Sequence, residues 1–326
     1  MRDAVRSGPS FDVAVDAIER RGSRLRLLLI GAAQVAVTVG LLALIVTRWG
    51  AAPFVHAITT LPLWVWIVGI ALGGLGVVAQ ALRWRLVAHE QRIRVSVGSA
   101  VARCWQAAFL NSVLPGGLAG DALRAADDSS DARVETGKRA LGRGFAAVVA
   151  ERLAGTAVVF VAAAIALVAR SPLVAGVCLA IAVVAIAVAW RWVRLLPGRR
   201  VLAVVALSVL GWASFTGLFV VLIGALAPSV PAVHAPALAA IALAGMSIPV
   251  GVGGWGTREA AAGGAFALFG LDAGLGVSVS IGYGVVALAS TLPGAVVLAL
   301  RTAPRLRAAR VARVRRRAGV QVRGSR

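Results

Sequence analysis

Long apolar runs dominate the chain, separated by short stretches where arginine and glycine gather. Runs at 25–47, 62–82, 144–169, 172–190, 201–227 and 276–300 are each close to the length that crosses a bilayer. A helix rises about 1.5 Å per residue, so roughly 20 apolar residues cover about 30 Å of hydrocarbon. A further run, 96–119, is also long enough. Two apolar pieces, 237–250 and 259–270, are too short to span singly and are joined by a glycine-rich link.

The polar segments assign sides. Arg83, Arg85, Arg92 and Arg94 follow the second run, and Arg124, Arg133, Lys138, Arg139 and Arg143 lie between 121 and 143. Arg191, Arg194, Arg199 and Arg200 separate two later runs, and ten arginines without an acid fill 301–326. Basic loops stay cytoplasmic. The links 48–61 and 228–236 are poor in basic residues, as outer loops should be.

Both flanks of 96–119 therefore want the cytoplasmic side, so this segment should enter and turn back at Pro115-Gly116-Gly117. Parity then makes 237–270 a second re-entrant pair from the opposite face. The fold predicted is an all-α integral membrane protein, a polytopic helix bundle of about six full spans plus two re-entrant broken-helix hairpins. Residues 1–24 form a polar cytoplasmic lead-in, 25–302 the transmembrane domain and 303–326 an arginine-rich cytoplasmic tail. The first apolar run reads as a retained helix, longer than a signal-peptide core.

Composition agrees. Of 326 residues, 60% are apolar and 14% charged, with a mean hydropathy of +0.88. A soluble domain carries about 25% charged residues. The net charge of +21 comes almost wholly from arginine, since Lys138 is the only lysine. In a membrane chain this balance suits anionic lipid headgroups, and guanidinium forks suit phosphate. No nucleic-acid partner is inferred, and the tail is expected to lie on anionic lipid.

Cys104 and Cys178 sit in apolar stretches, and His56, His89 and His234 are scattered. No metal site, cofactor loop or catalytic constellation is legible, and no oligomeric state is read. Trp49, Trp64, Trp66, Trp84, Trp190 and Trp192 fall near span ends, the ordinary interfacial belt. Gly69, Gly73, Gly74 and Gly76 read as close helix packing.

Three motifs carry candidate chemistry. The first runs from Asn111 through Pro115, Gly116, Gly117 and Gly120 to Asp121 and Arg124. Asp121 and Arg124 stand at i and i+3, so in a helix they share a face; the plainer reading is a turn followed by a solvated loop. The second is Glu151-Arg152 inside an apolar span. A central ionised side chain there costs roughly 2.5–3.5 kcal/mol. Either the pair faces the bundle interior and meets the hairpin charges, or Arg152 snorkels to phosphate beside a balancing Glu151. The third runs from Pro249 through Gly253, Gly254 and Gly256 to Arg258 and Glu259. Successive helical residues point about 100° apart, so Arg258 and Glu259 are expected to find separate partners; the plainer reading is an outer loop and a capped helix.

Together these motifs resemble the lysylphosphatidylglycerol synthase transmembrane-region family, the flippase-like domain of the multiple peptide resistance factor, in stand-alone form. The resemblance covers about residues 25–302. It implies a helical bundle in a bacterial or archaeal plasma membrane that moves an anionic, amino-acylated or glycosylated lipid between leaflets. On that reading Asn111, Asp121, Arg124, Glu151, Arg152, Arg258 and Glu259 bind substrate, and Pro115, Gly116, Gly117, Gly120, Pro249, Gly253, Gly254 and Gly256 form the hairpins. Val250 and Gly251 depart mildly from the serine and isoleucine of other members. The chain runs about 25 residues past its last span, short of a soluble acyltransferase domain. It is therefore expected to be no enzyme by itself, to use no cofactor, and to leave lipid modification to a possible separate enzyme. The alternative is a membrane-embedded or membrane-subunit transferase acting on a polyprenyl or glycerolipid substrate.

Overall fold

The structure is a computed structural model describing residues 59–90, 93, 95–114, 120, 121, 123, 124, 138–248 and 252–323, with isolated positions at 36, 39, 40, 43, 47 and 55. Side chains are described outside 138–144 and 302–323. The described chain is helical: α1 (Leu63–Glu90), α2 (Val97–Val113), α3 (Lys138–Leu167), α4 (Pro172–Val193), α5 (Gly198–Leu226), α6 (Ala235–Met246), α7 (Thr257–Leu268) and α8 (Ala273–Arg323), with a 3₁₀ turn at Ala232–His234. Among the described residues, five helices are long and apolar enough to cross a membrane: α1, α3 from Phe145, α4, α5, and α8 as far as Arg301. The protein is a multi-pass, all-helical membrane protein. The expected first span, 25–47, lies outside the described residues except for single positions.

Helix ends follow local chemistry. Ser96 takes an extended backbone and its Oγ accepts the Ser99 N–H, capping α2. Pro172 opens α4, where its missing N–H costs no helical bond. Gly256 precedes α7 at φ 86°, a left-handed conformation that disfavours side chains. The remaining short helices explain the two broken segments. At 17 residues α2 reaches about 25 Å, and at 12 each α6 and α7 reach about 18 Å.

Both broken segments fold back on themselves. The chain leaves α2 at Leu114 and by Gly120 is again beside it, where Asn111 Oδ1 accepts the Gly120 N–H at 2.8 Å. A Cβ on Gly120 would strike the Ala107 backbone, so only glycine permits this return. α6 and α7 pack on each other with Gly245 against Ala261. Pro115, Gly116, Gly117 and Pro249 lie outside the described residues.

One core cluster joins α1, α5, α6, α7 and α8 through residues such as Val65, Leu218, Leu238, Phe266 and Ile281. A second gathers the end of α1 with α2, α3 and α4 around Trp84, Ile93, Ala100 and Ala147. The α1 glycines pack as expected: Gly69 meets Val286 and Leu218, Gly73 meets Ser290, and Gly76 meets Phe215. The outward faces of α4 and α5 carry exposed Leu173, Val184, Ile186 and Leu202, suited to lipid.

Two sequence readings are corrected. The second span was expected to end near 82, with Arg83 in a cytoplasmic loop and Trp84 in the interfacial belt. Instead α1 continues to Glu90, and both side chains turn inward, with Arg83 buried and Trp84 fully so. Arginine is admitted there because α3 presents a carboxylate to it. The belt reading suits Trp64 and Trp190, which are about half exposed; Trp49 lies outside the described residues.

Candidate functional site

Five charged side chains form one connected array inside the bundle. Glu151 on α3 is wholly buried. Its Oε1 accepts Arg83 Nε at 3.2 Å and is also paired with Arg83 Nη2; its Oε2 accepts Arg124 Nη2 at 3.0 Å. The same Arg124 Nη2 stands 3.2 Å from Asp121 Oδ1. The outer oxygen, Asp121 Oδ2, pairs with Arg152 and accepts Asn111 Nδ2 at 3.2 Å. The array thus binds α1, α2, α3 and the returning chain at 120–124.

Supporting groups fix each guanidinium. Arg83 Nη1 donates to Ser208 Oγ on α5 at 3.0 Å. Gly155, one turn beyond Glu151, leaves the space Arg83 fills: a Cβ there would stand 2.9 Å from Arg83 Nη2. Arg124 Nη1 donates to Cys104 Sγ at 3.0 Å, and its guanidinium lies 5.2 Å from the Trp84 ring centroid. That geometry permits a cation–π attraction, strengthened where water is excluded.

A second charged pair sits at the start of α7. Arg258 lies between two aromatic rings, 4.8 Å from Trp255 and 5.1 Å from Tyr283. Its Nε donates to Glu259 Oε1 and Ser280 Oγ, both at 3.0 Å. Ser280 Oγ stands 3.0 Å from the same Glu259 oxygen. Glu259 Oε2 accepts the Gly256 N–H at 2.5 Å, the half of a capping box that a glycine cap allows.

The expectation of separate partners for Arg258 and Glu259 is therefore wrong. The long arginine side chain curls back onto its neighbour, because both are buried and neither can afford to remain unpaired.

The two groups share a cavity of about 360 Å³. Asn111, Asp121, Arg124, Glu151, Arg152 and Arg258 all line it. Glu259 stands behind Arg258 and does not line it. Gly253 and Gly254 form part of the wall, at φ 57° and 76°. Gly253 packs on the end of α2: a Cβ there would stand 2.6 Å from Ser112 O. Val77, Val159, Leu243, Met246 and Leu288 supply an apolar wall. Among the described residues, four guanidinium groups and three carboxylates belong to these two groups.

Arg83 also lines this cavity, and it is the member of the candidate site that charge counting left out. A usable signal lay in Gly155, placed one turn from Glu151 within an apolar span. Asn111 is better described as a brace than a lone ligand, since both ends of its amide are engaged by the returning chain.

Against known families, residues 31–200 match the model of the lysylphosphatidylglycerol synthase TM region. The chain belongs to that family. The matched stretch includes Asn111, Asp121, Arg124, Glu151 and Arg152, so the five-charge array lies within the family region, whereas Arg258 and its cage lie beyond it. Membership ties this membrane protein to lipid chemistry. A comparison with curated proteins finds no match.

Proposed function

We propose that the protein translocates a lipid with an anionic, amino-acylated or glycosylated headgroup between leaflets, acting as a transporter without catalysing a reaction. The observation that carries this reading is the joint cavity, which is lined both by the charged residues of the two groups and by apolar side chains. An amphiphile needs such a surface, since its headgroup must leave water while its chains stay in hydrocarbon.

The chemistry follows from the charges. Guanidinium groups donate forked, charge-assisted hydrogen bonds to phosphate oxygens. Arg124 and Arg258 are already held in place, so binding needs little further ordering. Arg152, partly exposed at the edge of the array, receives the headgroup and exchanges Asp121 for phosphate. The α2 and α6–α7 segments act as re-entrant hairpins whose tips meet at Ser112 and Gly253. Each cavity carboxylate is engaged by a guanidinium, which suits an electrostatic scaffold better than a general base.

The test is lipid exposure in reconstituted vesicles. Fluorescent anionic lipid is placed in the inner leaflet, and its arrival outside is followed for the wild type, Arg258→Ala and Arg152→Ala. The wild type accelerates exchange over protein-free vesicles, and both variants lose most of that gain. Equal rates in all three proteins overturn the reading.

A further inference from the structure

The carboxylates of the charged cavity are all engaged. Glu151 Oε1 and Oε2 accept from Arg83 and Arg124, and Asp121 Oδ2 meets Arg152 and Asn111. Asp121 Oδ1 stands 3.2 Å from Arg124 Nη2. Behind the wall, Glu259 is held by Arg258, Ser280 and the Gly256 N–H. Every carboxylate oxygen of the two charged groups therefore already faces a donor.

The donors are not all engaged. Arg258 and Arg124 are 1% and 2% exposed, and both line the cavity. Arg258 bonds through Nε and Nη2, while its Nη1 has no acceptor among the described residues. Arg124 Nε is buried without an acceptor. Trp212 on α5 lines the same space, and its Nε1 is also buried without one. A buried polar group without a partner is costly, and a ligand that supplies acceptors removes that cost. The net charge has the same sign. Four guanidinium groups face three carboxylates, so among the described residues one positive charge is left over. The rings beside these groups are also occupied: Arg124 lies at Trp84, and Arg258 between Trp255 and Tyr283. An incoming ammonium meets those carboxylates and those rings already filled by the protein's own cations.

We propose that the cavity selects a lipid whose phosphodiester headgroup carries one net negative charge, and discriminates against the same headgroup once it is amino-acylated. The inference rests on the translocation reading, whose substrate it narrows. The phosphate oxygens accept from the unpartnered donors, and the single negative charge cancels the positive one left over. A lysyl ester adds two ammonium groups and turns the headgroup's net charge positive, which sets like charge against a site where little water screens it.

Two measurements on the full chain test this. In detergent, native mass spectrometry compares retention of phosphatidylglycerol and lysylphosphatidylglycerol offered in equal amounts. In phosphatidylcholine vesicles, leaflet exchange is followed for the same two lipids, each labelled on an acyl chain so that the headgroup is unaltered. The wild type favours phosphatidylglycerol about tenfold or more in both. Two variants change the charge of the cavity alone. Gln80 lines it from α1, and Gln80→Glu keeps the shape while cancelling the leftover positive charge. Thr156→Asp does the same from α3 and keeps the test available if the glutamate variant does not fold. Either variant reduces the preference roughly tenfold, the scale of one added charge at a partly buried site.

The outcomes separate selection from transport. Equal retention and equal acceleration of the two lipids overturn the selection and leave translocation standing. Preferential retention without exchange of either lipid overturns translocation and leaves the selection as a property of binding. Neither preference nor exchange overturns both. A preference undiminished in folded Gln80→Glu or Thr156→Asp protein arises from arginines outside the cavity, and overturns the selection.

Discussion

Arg83 on α1 reaches Glu151 on α3 inside the bundle, with Nε 3.2 Å from Oε1 and both side chains buried. This pair closes the deep end of the charged array. Arg83→Ala leaves a buried carboxylate with Arg124 as its remaining guanidinium partner. Removing one partner of a buried pair costs about 3 kcal/mol or more. Thermal unfolding in detergent should show that loss. A double-mutant cycle with Glu151→Gln should return a coupling of at least about 1 kcal/mol, and additive effects would remove the pairing from the account.

The contact between the two folded-back segments can be tested at Gly253. Its φ of 57° is left-handed, and its Cβ position is occupied by the Ser112 backbone. Gly253→Ala should therefore cost about 1–3 kcal/mol and reduce lipid exposure with it. Gly264→Ala is the control. Gly264 lies within α7 with nothing near its Cβ position, so alanine there should be neutral or stabilise by up to about 1 kcal/mol. Matching losses in both variants would show that the tip contact has no special role.

Much of this arrangement was legible in residue order. The apolar runs located four of the five described spans to within a few residues at both ends, while α1 continues to Glu90, well past its expected end near 82. The close packing at the glycines of α1 was also visible, since small residues let helices approach. The errors came from rules that count charges by position. Arg83 and Trp84 stand at the end of an apolar run, where arginine and tryptophan usually meet headgroups. Their inward direction is set by Glu151 and Arg124, which lie far along the chain. Arg258 and Glu259 failed differently: helical spacing fixes where Cα–Cβ bonds point, and a side chain with four rotatable bonds can defeat it.

Asn111 separates bracing from ligand binding. Its Oδ1 accepts the Gly120 N–H and its Nδ2 donates to Asp121 Oδ2. Asn111→Ala removes both bonds and should cost about 1–3 kcal/mol in thermal unfolding. Asn111→Asp keeps an acceptor for Gly120 but sets a carboxylate against Asp121. If bracing is the role, aspartate should be at least as damaging as alanine to stability. If Asn111 acts only on substrate, both variants should melt like the wild type while lipid exposure falls.

Arg258 permits a finer distinction, between charge and shape. Its guanidinium is flat, lies between Trp255 and Tyr283, and donates to Glu259 and Ser280. Gly284 leaves room for it, because a Cβ there would strike both Arg258 and Trp255. Arg258→Lys preserves the charge, but an ammonium cannot stack between rings and fork to two acceptors at once. The loss of about one charge-assisted hydrogen bond should slow lipid exposure roughly tenfold. Gly284→Ala should act in the same direction without touching any charge, since it displaces the guanidinium from its cage. If Arg258→Lys keeps full activity while Arg258→Ala loses it, positive charge alone is what the cavity needs. If Gly284→Ala then also keeps full activity with its stability intact, the cage has no part in transport.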